Sequence, residues 1–136
     1  MTAHSEAAEG LISLKSNHSV KKTADKLESI LVDKGFRIVA KIDHAAAAKK
    51  VGVSLRGTEL LIFGNPRAGS PLMACEQSIA IDLPQKALIS EDEDGNTWLS
   101  YNDPAYLKSS HKIKGCDALL MNIASALKIF AHAATR

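Results

Sequence analysis

The sequence predicts an α+β domain, a mainly antiparallel sheet packed on one side by helices, in the order strand, helix, strand, strand, helix, strand, strand, helix. Three observations predict it. Apolar residues recur three or four apart in two stretches, one near the N-terminus and one at the C-terminus. Between them they fall in short alternating or continuous blocks of strand length. Those blocks are joined by turn signals rather than by a strict strand-helix alternation. With 136 residues, 46% of them apolar and 24% charged, the chain has the size and balance of one globular domain. Aromatic residues supply only 4%, so the expected core is aliphatic.

A polar leader covers residues 1–10 and the domain runs from 11 to 136. Leu11-Ile12-Ser13-Leu14 reads as a short first strand. Ser19 offers an N-cap, Val20, Ala24, Leu27 and Leu31 follow at helical spacing, and Gly35 stands where a left-handed residue closes a helix. Phe36, Ile38, Ala40 and Ile42 alternate with Arg37 and Lys41, the pattern of a strand with one buried face. Asp43 then caps a short helix through Lys50, which places His44 at the strand-helix junction. Thr58 to Phe63 is apolar enough for a strand covered on both faces, and Gly64-Asn65-Pro66 stops it. Ser70-Pro71 reads as a cap followed by proline at the first helical position, predicting a helix from Pro71 to about Ile81. Lys86 to Glu91 and Thr97 to Tyr101 form a hairpin turning at Asp94-Gly95. Asp103-Pro104 caps a helical turn through Ser109, and Asp117 starts the last helix after the Gly115 break. On that helix Asn122, Ser125, Lys128 or Ile129, and His132 fall three or four apart and form one narrow stripe facing water, so the remaining wide apolar face is expected to pack on the sheet or on a partner.

Charge and cysteine content limit the function classes. The net charge is +2, with both signs interspersed, so no field able to hold nucleic acid through its phosphates is expected. Residues 1–56 carry ten basic side chains against six acidic ones, and 76–103 carry seven acidic and one basic, which reads as two solvated faces. The N-terminus lacks the build of a signal peptide and only Cys75 and Cys116 are present, so a reduced, cytoplasmic protein is expected. Ala118 to Ala134 is the most apolar stretch, but polar residues interrupt it, and no membrane segment is expected.

Several of these stretches resemble a known family: Ile42-Asp43-His44-Ala45-Ala46-Ala47-Ala48, Glu59 through Pro66, Gly69-Ser70-Pro71-Leu72-Met73, Ile81-Asp82-Leu83-Pro84, and Glu91 through Pro104. In order and spacing they are similar to the domain of unknown function family number 302, over residues 11 to 112. The resemblance implies a small α+β domain of the TATA-binding-protein-like class, usually a homodimer, with no established reaction. Two departures stand out. Gln85 follows the proline where the family tends to carry leucine, and Glu76-Gln77-Ser78 replaces an Asn-Pro-Thr type turn.

Candidate chemistry is sparse. His44, beside Asp43 and four alanines, could serve as an axial haem ligand, because small neighbours leave room for a large planar group. The competing reading is a histidine hydrogen-bonded at a helix start. Met73 and Cys75 lie two apart and His111 and Cys116 five apart, soft donors suited to iron, copper or zinc, yet neither spacing is that of a zinc site. Met73 as core filler and Cys75 as a small buried hydrophobe are the plainer assignments. The acidic run Glu91 to Asp94 sits at a hairpin tip and reads as turn chemistry. Phe63, Asn65, Tyr101 and Asn102 stand at two strand ends followed by proline-led turns and could line a pocket mouth. No phosphate loop, dinucleotide fingerprint or nucleophile elbow is present, and Arg67-Ala68-Gly69-Ser70 only resembles a phosphate cradle.

The expectation is therefore a homodimeric, non-enzymatic protein that binds a small, largely apolar ligand between helix and sheet or at the dimer interface. Haem is the first ligand to test, with His44, His111 and Met73 as candidate cofactor contacts and the two histidines as candidate iron ligands. An enzyme of unknown class using Tyr101, Asp103 and His44 is the alternative, and a structural or regulatory dimer without ligand is a third reading.

Overall fold

The computed structural model describes residues 8–136, so residues 1–7 of the expected leader lie outside the described residues. The chain runs β1 (Leu11–Ser16), α1 (Val20–Asp33), β2 (Arg37–Asp43), α2 (His44–Lys50), β3 (Thr58–Gly64), α3 (Pro66–Cys75), a 3-10 helix (Gln77–Asp82), β4 (Gln85–Glu91), β5 (Thr97–Asn102), α4 (Pro104–Ser110) and α5 (Asp117–Thr135). The five strands form one sheet in the order β1-β5-β4-β3-β2, and every neighbouring pair is antiparallel. The expected α+β class and element order both hold.

The local signals act as read. The Ser19 hydroxyl accepts from the Lys22 amide, and at the other end of α1 Gly35, at φ +82°, lets the Phe36 amide reach the Leu31 carbonyl at 2.9 Å. Asp43 caps α2 by accepting from the Ala46 amide. Asp92 organises the hairpin: one carboxylate oxygen accepts from the amides of Asp94 and Asn96, the other from the Trp98 indole at 2.8 Å. These bonds, the indole's first, hold the Asp92 carboxyl below its ordinary pKa.

Three expectations need correction. The third helix begins at Pro66 under an Asn65 cap, not at Pro71 under Ser70, and it ends at Cys75. Both dipeptides carry the cap-and-proline signature. Asn65 prevails because β3 ends there, which leaves Pro71 inside the helix. Glu76 then accepts from the Ser78 amide and starts the 3-10 helix, which leads through a cis Leu83–Pro84 bond into β4. On α5 the exposed face is wider than a polar stripe, since Met121 and Ile129 stand 69% and 63% exposed. By length and composition α5 is the one helix among the described residues that could cross a membrane. Here it packs instead, with Leu127, Phe130, Ala131 and Ala134 in the core.

Strand alternation sends Leu61, Phe63, Ala87, Ile89, Leu99 and Tyr101 to the helix-covered face, where they meet Ala24, Leu27 and Leu31 of α1 and the C-terminal half of α5. A second, smaller cluster joins Leu72 of α3, Ile79, Leu107 of α4, Ile113 and Leu120 of α5. Ile123 packs against both clusters, so α5 is the shared wall. The outer face of β3 is less covered than expected, Leu60 and Ile62 being half-buried.

Candidate functional site

A cavity of about 640 Å³ opens where the two clusters meet, beside the end of β3. Its walls follow from the two clusters failing to close on each other. Phe36 and Leu127 come from the larger one, and Leu72, Met73, Leu83, Leu119 and Ile123 from the smaller. The turn from Gly64 into the first helical turn of α3 forms one side, with Ala126 of α5 opposite. Apolar groups thus dominate, as in sites for small organic molecules.

The polar groups are few and graded in depth. Arg37, Arg67 and Asn122 are exposed, whereas Gln85 is only 9% exposed. Asn65 spends its side-chain oxygen on the Arg67 amide at 3.0 Å, capping α3. A second depression of about 330 Å³ is lined by Ser13, Arg56, Ser90, Trp98 and Ser100, residues of the opposite sheet face and the loop before β3. Its lining mixes polar and charged groups with few apolar ones.

Of the residues singled out from sequence, Asn65 and Met73 line the cavity. Phe63 lies beneath it in the core, edge-on to Phe36 with ring centroids 6.1 Å apart. Tyr101 is buried in β5, and burial, with the Asp103 charge as a lesser cause, pushes its phenol above the ordinary pKa. Asn102 alternates to the other face of the sheet. His44 is exposed at the first position of α2 and touches neither depression. His111 ends α4 and engages both ring nitrogens, Nδ1 with the Ser78 hydroxyl at 2.9 Å and Nε2 with the Asp82 carboxylate. The two histidines and Met73 do not converge on one point.

Tyr101, Asp103 and His44 do not converge either. Asp103 caps α4 by accepting from the Ala105 amide. His44 follows β2, and β3 and β4 separate that strand from β5. At strand spacing this places His44 and Tyr101 about 14 Å apart or more.

Cys75 and Cys116 are joined in a disulfide with Cα atoms 6.7 Å apart, which replaces the reading of Cys75 as a lone buried hydrophobe. The bridge links the end of α3 to the residue before α5. The contacts of His111 with Ser78 and Asp82 tie the 3-10 helix to α4. The smaller cluster is therefore stapled twice. Among the described residues no group of three or more His, Cys, Asp or Glu is placed to hold a metal ion.

Sequence reading missed Arg37, Gln85, Leu119 and Ile123 as site residues. Gln85 carried one signal, its departure from a family leucine. Leu119 and Ile123 carried none beyond lying on an apolar helix face.

Comparison with known proteins bears on the family and the fold. The family described as domain of unknown function DUF302 matches residues 12–130. A crystal structure of an uncharacterized conserved DUF302 protein from Bacillus stearothermophilus superposes with a TM-score of 0.75, covering 94% of this chain and 97% of the other at 18% identity, which supports the fold. The fluoride-specific ion channels FluC 1 of Brucella suis biovar 1 and FluC 1 of Brucella abortus biovar 1 are each 41% identical over 104 residues, 76% of this chain. Those residues cover 41% and 38% of the two channel proteins, so the chain spans about two-fifths of the curated relatives it matches.

Proposed function

The chain belongs to the DUF302 family, and from that premise we propose that it is a non-enzymatic binding protein that holds a small, largely apolar molecule in the cavity between α3 and α5. The observation that carries this reading is the cavity itself: about 640 Å³, open to solvent and lined largely by aliphatic side chains from two clusters, with a few polar groups set into the wall. The separation of His44 from Tyr101 and Asp103 favours binding over acid-base catalysis by the three together.

Native mass spectrometry of protein purified from its own host tests the proposal. A retained small molecule, released when the fold is opened, is the expected result, and a bare chain under mild conditions counts against it. Haem is the first defined compound to try, with Met73 as the soft donor in the cavity wall. His111 could bind iron only by giving up one of its two present bonds, the other ring nitrogen keeping its partner. A Soret band that shifts in Met73→Ala or His111→Ala supports haem. A band indifferent to these and to His44→Ala removes it.

We further propose that two copies pair through the exposed side of α5, since Met121 and Ile129 lie eight residues apart on one helix face. Light scattering on Met121→Lys and Ile129→Lys variants decides this, a monomer being expected. A cytoplasmic location, with its reducing thiol pool, makes the Cys75–Cys116 bridge a reversible one. Alkylation of rapidly quenched cells then finds free thiols, whereas a fully oxidised pair contradicts that placement.

The match to proteins named fluoride-specific ion channels favours a second reading, a structural or regulatory module without an organic ligand. A fluoride-dependent change in melting temperature or in amide resonances supports that reading, and its absence at millimolar fluoride weakens it.

A further inference from the structure

Gln85 is the one polar side chain in the cavity wall that is nine-tenths buried. Its place is fixed by the sheet: it opens β4 opposite Phe63, and alternation sends both side chains to the helix-covered face. Its amide forms no side-chain hydrogen bond among the described residues, and since no buried side-chain nitrogen or oxygen there lacks a partner, the amide keeps access to solvent while the rest of the side chain is covered. A primary amide offers two donors and an acceptor, and a partner must meet them wherever water is excluded.

We infer that Gln85 is the specificity-determining residue of the cavity, selecting an apolar molecule that carries one hydroxyl or carbonyl group over a pure hydrocarbon of the same shape. The inference rests on the cavity being a binding site, as proposed above. A hydroxyl placed among apolar walls loses its hydration, so by hydrophobic transfer alone a hydroxylated compound binds more weakly than its parent hydrocarbon. Only a partner inside the cavity reverses that order. The amide also discriminates negatively, because a hydrocarbon that displaces water from Gln85 leaves the amide unpaired. Arg37 and Arg67 also line the cavity but are exposed, so their guanidinium groups stay hydrated where the Gln85 side chain is largely covered.

Fluorescence titration of the whole chain with 2-naphthol and with naphthalene, at pH 7, tests the inference. The wild-type chain is expected to bind 2-naphthol about tenfold more tightly than naphthalene. Gln85→Leu and Gln85→Met, checked for folding by circular dichroism, are expected to invert or erase that preference while binding naphthalene at least as well as wild type. Two variants of different shape guard against a packing defect in either. A wild-type chain that binds both compounds without preference, or variants that keep the wild-type preference, overturns the role of Gln85 and leaves the cavity standing as a binding site. Failure of both compounds to bind overturns the cavity reading and this inference with it.

Discussion

The two clusters of this molecule are held together in different ways. The larger one lies on five hydrogen-bonded strands, with Phe63, Ile89, Leu99 and Leu31 fully buried between sheet and helices. The smaller one, around Leu72, Ile79, Leu107, Ile113 and Leu120, has no sheet of its own and relies on the Cys75–Cys116 bridge and the His111 contacts. Hydrophobic burial scales with area, so a few aliphatic side chains order three short helical segments only weakly without such staples. The cavity forms at the seam between the sheet-backed cluster and the stapled one.

Substitutions can break this contrast. The largest effect is expected in the main core, where Phe63→Ala removes a fully buried ring packed against Phe36 and costs about 3–5 kcal/mol, measured by urea unfolding. Opening the bridge by Cys75→Ser with Cys116→Ser is expected to cost roughly 2–4 kcal/mol, given the 41-residue separation it closes. The distribution matters more than the sum. Hydrogen exchange should rise around residues 66–83 and 104–120 and stay low in the sheet, whereas an even rise across the chain would show that the two clusters open as one.

A smaller effect is expected where β1 meets α4. Gly10 sits at φ +86°, and a Cβ there would lie 2.6 Å from the Tyr106 ring, so Gly10→Ala should cost about 1–3 kcal/mol and loosen α4 before the sheet. The hairpin gives a pH-dependent case. The Asp92 carboxyl is held below its ordinary value of 3.8, so its stabilising contribution is complete above that pH and is lost as pH falls through it towards the folded value. Asp92→Asn should therefore remove part of the acid sensitivity of Trp98 fluorescence, and an unchanged acid transition would exclude Asp92 as its source. The exposed pair Lys21 and Asp25 should matter least, with Lys21→Ala leaving the urea midpoint within error.

The larger cluster was legible from sequence and the smaller one was not, for a physical reason. Ser19, Gly35, Asp43 and Asp94-Gly95 act through bonds within a few residues, and the period of Val20, Ala24, Leu27 and Leu31 states its own buried face. The cavity joins residues far apart in the chain, such as Phe36, Met73, Leu83 and Ile123, and no local pattern marks which aliphatic side chains stop short of contact. Even at short range a tie can mislead: Asn65-Pro66 and Ser70-Pro71 announce the same helix start, and only the end of β3 decides between them. The pairing of two cysteines 41 residues apart is likewise a tertiary fact. His44 and His111 drew notice as haem ligands by residue type, while their partners, solvent for one and Ser78 with Asp82 for the other, were set by the fold.

The most direct measurement fills the seam. Ala126 lines the cavity from α5, and Ala126→Trp would set an indole into the space between α5 and α3. Naphthalene binding, followed by fluorescence, is expected to weaken at least tenfold in Ala126→Trp and to remain at the wild-type level in Ser100→Ala, which alters the depression on the opposite sheet face. Equal binding in wild type and Ala126→Trp, with the tryptophan variant folded, would contradict the placement of the site between α3 and α5.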